Sequence, residues 1–209
     1  MNDYSEYRIN KELTPNIIVI DNFYENPFEI REFALKLDYN SREYFPGKRS
    51  KSYSNSMHKT MFNKILEPYG EKIKDFDMDE IERKSHDNGS FQYSVANDRT
   101  WIHSDDYLTN WAGVIYLTPN APESAGTCFY KYKDGTMDSG ESKFLNNETE
   151  INLYCKDMTK WIKVDIIGNV FNRLVLFNSK RFHASMDYFG DNINNGRLFQ
   201  VFFFSTEQF

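Results

Sequence analysis

The chain has 209 residues and a mass of 24.8 kDa, which suits a single domain spanning residues 1–209 and is too little for two ordinary enzyme domains. The net charge of −6 and the scattered basic residues disfavour nucleic acid as a partner. No window approaches the roughly 20 apolar residues that a membrane-spanning helix requires, and no apolar leader follows a basic cluster at the start. We therefore expect a cytoplasmic protein without a membrane partner.

The composition favours a β-rich fold and restricts the chemistry of any metal site. Hydrophobic residues make up 40% and aromatic residues 17% of the chain, so large rings supply much of the core. Such rings are enriched in strands. The two cysteines, Cys128 and Cys155, cannot form a disulfide framework and are not at CxxC spacing. A metal ion would therefore have to be held by histidine and carboxylate side chains.

Residues 1–89 are predicted to form a helical support region that opens with a strand. The strand is the short apolar run NIIVID at residues 16–21. Asn26 as N-cap and Pro27 at the first helical position then predict the start of a helix, because apolar residues recur at helical spacing after them. A second amphipathic helix is predicted over residues 57–69. The Ser- and Asn-rich segment between the two helices is expected to be irregular.

Six strand-like segments, each bounded by Gly, Pro, Asn or Asp, occupy much of the chain after residue 90. They lie at 91–97, 111–119, 127–133, 161–167, 173–179 and 197–205. Strands in this number after a block of helices predict a mainly β fold, with helices packed on one face of a rolled antiparallel sheet. Residues 133–149 show no pattern. Because such a loop in a compact domain is usually functional or mobile, we treat it as a candidate lid.

Four histidines are present, and one of them belongs to a local pattern that suits metal binding. His58 and His86 stand among polar neighbours, so we expect both at the surface. His103 and Asp105 are two residues apart in WIHSDDY, and alternate residues of an extended backbone project to the same face. An imidazole and a carboxylate can therefore converge on one ion, although an HxD tripeptide by itself often arises by chance.

His183 supplies a third candidate ligand. It follows the strongly apolar strand RLVLF at residues 173–177, so we expect it at the rim of a sheet, where it can meet His103 and Asp105 from an adjacent strand. Two histidines and one carboxylate on one side of an octahedral ion form the facial triad that suits Fe(II) and leaves three positions open. Zinc more often takes a tetrahedral set of ligands.

Arg197 opens the last predicted strand, which is otherwise apolar except at Gln200. The alternation of a strand places two sets of side chains on opposite faces: Arg197, Phe199, Val201 and Phe203 on one, and Leu198, Phe202 and Phe204 on the other. An arginine in such surroundings requires a carboxylate, from the protein or from a ligand. The residues alone also allow Arg197 to cap the strand or to pair with a surface Asp.

An HxD motif, a later histidine and an arginine on the final strand, in this order, resemble the 2-oxoglutarate/Fe(II)-dependent oxygenase superfamily, nearest to its prolyl-hydroxylase-like members and to small phage and bacterial relatives. The resemblance covers residues 90–209, the expected catalytic core, and more faintly the opening strand and helix. Three further segments are similar to the family pattern: GVIYLTP at 113–119, AGTCFY at 125–130 and NRLVLFNSKRFHAS at 172–185. The chain departs from that pattern at Phe199, where some members carry a small hydroxyl residue.

The resemblance implies a double-stranded β-helix, a jelly-roll or cupin-like fold, with the N-terminal helices packed on the larger sheet. It implies Fe(II) held by His103, Asp105 and His183, with 2-oxoglutarate and O2 as cosubstrates. Arg197 and Tyr116 would bind the distal carboxylate of 2-oxoglutarate. The implied reaction is hydroxylation of an amino-acid side chain, free or within a peptide and with proline among the candidates, with release of succinate and CO2.

Substrate contacts are expected at the open rim near the metal, where the candidates are Asp106, Tyr107, Tyr130, Tyr132 and Arg181. Each of them could equally be an ordinary surface residue, and the substrate could be a small molecule or a peptide. Two other functions remain open: a non-catalytic metal-binding jelly-roll module, and a zinc hydrolase on a similar barrel in which Arg197 would bind a substrate carboxylate. Tyr116 could likewise be a core tyrosine, and Arg173 is expected to be a structural residue at a strand end.

Overall fold

Two antiparallel β-sheets form the framework of the protein, and two α-helices pack on the larger one. The computed structural model describes residues 16–41, 45–76, 87–105, 109–139 and 154–208. The α-helices in these ranges are α1 (Pro27–Ala34) and α2 (Ser56–Leu66), and short 3-10 helices lie at Glu67–Tyr69, Glu123–Ala125 and Met158–Lys160. The strands are β1 (Ile17–Ile20), β2 (Lys48–Arg49), β3 (Glu71–Asp75), β4 (Phe91–Ser94), β5 (Trp111–Tyr116), β6 (Thr127–Tyr132), β7 (Trp161–Ile167), β8 (Leu174–Asn178), β9 (His183–Ser185) and β10 (Arg197–Gln208).

The strand order defines the architecture. The larger sheet has the order β1-β8-β5-β10-β4-β2, with β3 paired to the end of β10, and the smaller sheet has the order β7-β6-β9. Phe129 of β6 packs against Phe177 of β8 with ring centroids 5.1 Å apart, so the two sheets face each other across an apolar layer. This arrangement is a double-stranded β-helix, which confirms the predicted fold class. No helix in the described ranges is long and apolar enough to cross a membrane.

Strand β10 shows the predicted alternation between two cores. Leu198, Phe202 and Phe204 belong to the cluster that α1 and α2 cover. Phe199 and Val201 belong to the cluster between the sheets. Because successive strand residues point to opposite faces, one apolar strand builds both layers. Burying a Phe side chain fully contributes roughly 1.5–3 kcal/mol relative to leaving it exposed, so this strand is a main source of stability.

The helices begin where the sequence predicts, although the capping differs. Pro27 occupies the first turn of α1 as expected, but the side chain of Asn26 makes no capping hydrogen bond. Asn55 caps α2 instead, since its Oδ1 accepts from the backbone N–H of His58 at 3.1 Å. The predicted second helix, residues 57–69, is an α-helix to Leu66 and a 3-10 helix beyond it.

The prediction that His58 lies at the surface is wrong, because α2 turns this residue towards the larger sheet. The side chain is buried, and its Nε2 lies 3.1 Å from the Tyr24 hydroxyl. That hydroxyl donates to Gln200 Oε1 at 2.5 Å, and Gln200 Nε2 donates to the carbonyl oxygen of Gly89 at 2.9 Å. His58 must therefore donate through Nε2, which leaves Nδ1 as a buried acceptor without a hydrogen-bond partner among the described residues. Burial lowers the pKa of His58 to about 4.

The N-terminal part of the chain contributes more strand than predicted. Strands β2 and β3 belong to the larger sheet in addition to β1, so residues 1–89 are not only a helical support. Strand β2 has two residues and lies in the segment that was expected to be irregular, where Arg49 also bridges Asn40. Such short strands carry too little alternation to be read from sequence. His86 lies outside the described residues, as does most of the candidate lid at 133–149.

Candidate metal centre and pocket

An isolated backbone bridge between residue 103 and strand β9 of the smaller sheet brings the two candidate histidine ligands together. The N–H of His103 donates to the carbonyl oxygen of His183 at 3.0 Å, and the N–H of His183 donates to that of His103 at 2.8 Å. Residues directly opposite each other in an antiparallel pair project to the same face. The imidazoles are accordingly adjacent, with ring centroids 4.4 Å apart. His183 also begins the short strand β9, which the sequence analysis did not predict.

Asp105 completes the cluster from two residues beyond His103. Its backbone N–H donates to the carbonyl oxygen of Ser179 at 2.8 Å, which holds Asp105 beside the end of β8. Its carboxylate oxygens lie 3.6 Å from His103 Nε2 and 3.2 Å from His183 Nε2. One ligand atom from each of the three residues lies within 4.8 Å of the other two. The predicted set is therefore brought together with two imidazole nitrogens and one carboxylate oxygen facing a common point.

The hydrogen bonds of both imidazoles leave the correct nitrogen available for a metal. Nδ1 of His103 lies 3.0 Å from the carbonyl oxygen of Trp101, and Nδ1 of His183 lies 3.0 Å from that of Arg181. A carbonyl oxygen accepts only, so each Nδ1 carries a proton and Nε2 is the nitrogen of each ring that lies beside the Asp105 carboxylate. This second hydrogen bond is the usual way in which a protein orients metal-binding histidines.

The protonation states of the cluster also suit a divalent cation. Burial in the pocket opposes ionisation of Asp105, but the neighbouring His183 and His103 outweigh it and lower the pKa of Asp105 to about 2. Burial, together with the neighbouring His183, lowers the pKa of His103 below its usual 6.5. At neutral pH the cluster therefore offers an ionised carboxylate beside a neutral His103 imidazole. Two nitrogens and one carboxylate oxygen on one side of an ion are the donor set preferred by non-haem Fe(II).

Arg197 lies in the core without a carboxylate partner among the described residues. Its side chain is 1% exposed. Nε donates to the carbonyl oxygen of Ala125 at 2.9 Å, and Nη2 donates to that of Gly126 at 3.4 Å. Nη1 is buried and has no hydrogen-bond partner in the described parts of the chain. An unpaired buried guanidinium is costly unless a group of opposite charge is bound beside it.

Three neighbours shape the surroundings of Arg197. The guanidinium lies 4.4 Å from the ring centre of Phe199, the residue that replaces a small hydroxyl side chain in the family pattern, and 5.3 Å from that of Tyr116. The Tyr116 hydroxyl is buried and lies 2.7 Å from Thr127 Oγ1. Thr127 rather than Tyr116 lines the pocket. Tyr116 therefore lies beside Arg197 as predicted, and its hydroxyl reaches the pocket wall through Thr127, which the sequence analysis did not identify.

Gly126 is placed beside Arg197 by a close backbone approach. A Cβ atom at this position would lie 1.9 Å from the carbonyl oxygen of Ile167, which no side chain can accept without movement of the backbone. The segment AGTCFY therefore requires glycine at its turn. This turn places the carbonyl oxygens of Ala125 and Gly126 beside the guanidinium.

One pocket contains both the metal-ligand cluster and the buried arginine. Its lining includes His103, Asp105, His183 and Arg197. Apolar side chains of the larger sheet form much of the remaining wall: Ala112, Val114, Phe177, Phe199 and Val201. Because the metal-ligand cluster and Arg197 line the same cavity, a single ligand can contact the metal position and the guanidinium at the same time.

Arg49 of β2 forms a second charged part of the pocket wall, and the sequence analysis missed it. Its Nη1 donates to Asp87 Oδ2 at 2.7 Å, and its Nε donates to Gln92 Oε1 at 2.8 Å. The guanidinium also lies 4.0 Å from the ring centre of Phe45, which belongs to the same wall. No motif in the predicted irregular segment pointed to Arg49, since its place in the pocket depends on the pairing of β2 with β4.

None of the predicted substrate contacts that fall in the described residues lines the pocket. Asp106 and Tyr107 fall outside the described residues. Tyr130 packs in the outer core of the smaller sheet with Trp161 and Phe182, because on β6 it alternates with the inward-facing Thr127 and Phe129.

Arg181 and Tyr132 are also held away from the pocket lining. Arg181 is buried and pairs through Nη2 with Asp165 Oδ2 at 3.0 Å. Tyr132 packs edge-on against Trp161, with ring centroids 5.3 Å apart. We therefore do not retain Tyr130, Tyr132 or Arg181 as substrate contacts. Arg173 is structural as predicted, because it pairs with Asp21 at 2.6 Å.

Solved structures share this fold at low sequence identity. HygX from Streptomyces hygroscopicus, solved with nickel, 2-oxoglutarate and hygromycin B, is 12% identical with a TM-score of 0.51, over 90% of this chain and 82% of its own. The 2-oxoglutarate-dependent epimerase SnoN from nogalamycin biosynthesis is 10% identical with a TM-score of 0.51, over 89% and 77%. A Pseudomonas putida prolyl-4-hydroxylase is 14% identical with a TM-score of 0.47, over 92% and 94%. The protein thus has the double-stranded β-helix fold of the 2-oxoglutarate- and Fe(II)-dependent oxygenases.

Sequence comparison defines the family more narrowly. The chain belongs to DUF6445, a family of unknown function whose model matches residues 3–204. No curated protein sequence matches it. Neither the fold nor the family defines the activity of the protein.

Proposed function

We propose that the protein is an Fe(II)- and 2-oxoglutarate-dependent oxygenase acting as one domain over residues 1–209. His103, Asp105 and His183 would hold the iron, and Arg197 would anchor the distal carboxylate of 2-oxoglutarate. The observation that carries the proposal is a buried guanidinium with an unpaired Nη1 in the same pocket as a facial set of two imidazoles and a carboxylate. The HygX structure with 2-oxoglutarate bound supports it through the shared fold.

The residues present fit both absent groups. Three protein ligands on one side leave positions for a bidentate keto acid and for O2, and the depressed pKa of Asp105 keeps its negative charge at any physiological pH. When bound, Fe(II) and 2-oxoglutarate supply oxidative decarboxylation to succinate and CO2, coupled to hydroxylation of a substrate C–H bond. A zinc hydrolase would require the same arginine to bind a substrate carboxylate instead.

The protein itself contributes position and exclusion of water. The carbonyl oxygens of Trp101 and Arg181 fix both imidazole rings. Phe177 contacts the imidazole of His183 with ring centroids 4.5 Å apart, and Phe199 covers the guanidinium of Arg197. These contacts hold the ligands in one geometry and keep bulk water from the reacting centre.

We further propose an amino-acid side chain, free or in a peptide, as the group that is hydroxylated. Aromatic and proline side chains line the pocket, with Phe45, Pro46 and Trp101 among them, and Arg49 adds a positive charge to that wall. Apolar rings beside one charged group suit a small side chain attached to a polar backbone. The prolyl hydroxylases within the fold family and the hygromycin B bound to HygX mark the range of substrates to test.

The proposed activity is tested by anaerobic reconstitution with Fe(II) and 2-oxoglutarate. We expect a weak visible charge-transfer band on mixing, and succinate after admission of air. His103→Ala should abolish the band because it removes a ligand. Arg173→Met should retain it, because Arg173 pairs with Asp21 and does not line the pocket. A non-catalytic module would give the band without succinate above a no-protein control. A zinc hydrolase would show neither 2-oxoglutarate binding nor dependence on O2, and either result would contradict the proposal.

A further inference from the structure

The pocket wall contains a second unpaired polar atom, the hydroxyl oxygen of Tyr188. Among the described side chains that line the pocket, Arg197 Nη1 and Tyr188 Oη are the two buried polar atoms without a hydrogen-bond partner. A buried hydroxyl left unpaired destabilises the folded chain by about 1–3 kcal/mol. The protein tolerates two such atoms in one cavity, which is expected if a single ligand pairs with both.

The backbone before Tyr188 passes directly beside the buried arginine. The N–H of Met186 donates to the carbonyl oxygen of Gly126 at 3.0 Å. The same oxygen accepts a hydrogen bond from Arg197 Nη2 at 3.4 Å. Tyr188 follows Met186 by two residues, so its segment starts from the place where the guanidinium is held.

The backbone after Tyr188 is fixed to the strand that flanks Arg197. The carbonyl oxygen of Gly190 accepts from the N–H of Ala96 at 3.0 Å. Ala96 stands two residues beyond Ser94, which is the register partner of Arg197 across β4 and β10. Both ends of the segment therefore lie next to the surroundings of Arg197, and Tyr188 between them lines the pocket.

Strand β10 supplies no hydroxyl at this place, and the buried hydroxyl of Ser94, the register partner of Arg197 on β4, does not line the pocket. Phe199, two residues after Arg197, presents its ring to the guanidinium. Thr127 lines the pocket, but its Oγ1 is engaged with the Tyr116 hydroxyl at 2.7 Å. A carboxylate that accepts from Arg197 Nη1 has further lone pairs to satisfy. A phenolic hydroxyl can donate to one of them.

We infer that Tyr188 donates a hydrogen bond from Oη to the distal carboxylate of 2-oxoglutarate, which Arg197 binds through Nη1. This inference rests on the proposed function. In some oxygenases a small hydroxyl residue on the last strand has this role. Here Tyr188 supplies the hydroxyl from the loop that follows His183. The pair Arg197 and Tyr188 selects a dicarboxylate over a monocarboxylate keto acid, because only the former satisfies both buried groups.

The test measures ligand affinity rather than turnover. Ni(II)-loaded protein is titrated by calorimetry with 2-oxoglutarate and with 2-oxovalerate, which keeps the keto acid and lacks the distal carboxylate. We expect Tyr188→Phe to weaken 2-oxoglutarate binding roughly tenfold to a hundredfold, as for loss of a hydrogen bond to a charged group. Binding of 2-oxovalerate should be unchanged. The apo variant should unfold at the same temperature as the wild type or higher, since an unpaired hydroxyl is removed.

Tyr39→Phe is the matched control, because the Tyr39 hydroxyl donates to the carbonyl oxygen of Ala34 at 2.9 Å behind the larger sheet. It should leave the affinity for both keto acids unchanged. Equal 2-oxoglutarate affinity in Tyr188→Phe and wild type would overturn the inference while leaving the proposed function intact. Equal weakening for both keto acids would overturn the assignment to the distal carboxylate. A wild-type protein that binds neither ligand would remove the proposed function and the inference together.

Discussion

Replacing Arg197 with methionine separates the role of its charge from its role in packing. Methionine is flexible and uncharged, so it replaces the aliphatic stem of Arg197 without the guanidinium. The variant loses the hydrogen bonds from Nε to Ala125 and from Nη2 to Gly126. Both carbonyl oxygens keep another donor, because Asn169 Nδ2 lies 3.2 Å from the first and the N–H of Met186 lies 3.0 Å from the second. We therefore expect the apo variant to be about as stable as the wild type.

The effect on 2-oxoglutarate should be large. Nη1 and the second N–H of Nη2 can bind one carboxylate in a bidentate manner. Each hydrogen bond to a charged group contributes about 1.5–3 kcal/mol. Loss of the pair therefore removes at least about 3 kcal/mol, which is more than a hundredfold in the dissociation constant. Metal affinity should be unchanged, since His103, Asp105 and His183 are untouched.

Calorimetry of Ni(II)-loaded Arg197→Met with 2-oxoglutarate checks this result, and thermal unfolding of the apo protein accompanies it. Arg173→Met is the control, because Arg173 pairs with Asp21 at 2.6 Å and does not line the pocket. An affinity within about twofold of the wild type would refute the reasoning, as twofold is less than 0.5 kcal/mol. A collapse of apo stability would show that the guanidinium serves the fold rather than a ligand.

Two further predictions concern stability. His58 has a pKa of about 4 in the folded protein against 6.5 for the unperturbed side chain, so the unfolded chain binds its proton first as the pH falls. The free energy of unfolding should therefore drop by roughly 3 kcal/mol between pH 7 and pH 4. The urea midpoint of His58→Gln should fall less steeply with falling pH than that of the wild type, and an equal fall in both proteins would contradict this account. Gly126→Ala should cost about 2 kcal/mol or more, because its Cβ would lie 1.9 Å from the Ile167 carbonyl oxygen. Gly168→Ala, whose Cβ would meet its nearest atoms at 3.6 Å, is the control, and equal melting temperatures of the two variants would count against the turn geometry.

The metal-ligand cluster was predictable because it depends on local rules. His103 and Asp105 share a face through strand alternation, and His183 follows an apolar strand whose end had to lie at a sheet rim. The two faces of β10 followed from the same alternation, which the clusters around Leu198 and Phe199 confirm.

The rest of the site depends on register and on segments without a pattern. Arg49 reaches the pocket through the pairing of a two-residue strand, and Tyr188 through hydrogen bonds of a loop that Asn and Gly dominate. Tyr130 was a candidate substrate contact but packs in the outer core, because on β6 Thr127 and Phe129 take the inward-facing positions. His58 was misjudged because neighbours in sequence do not show which face of α2 meets the sheet.

Diffraction from crystals grown anaerobically with Fe(II) and 2-oxoglutarate, recorded at the iron absorption edge, tests the central claim most directly. The account predicts one anomalous peak within bonding distance of His103 Nε2, His183 Nε2 and an Asp105 oxygen, with the distal carboxylate of 2-oxoglutarate against Arg197. Iron bound away from these three residues would contradict it. So would a 2-oxoglutarate molecule whose distal carboxylate leaves Arg197 Nη1 unpaired.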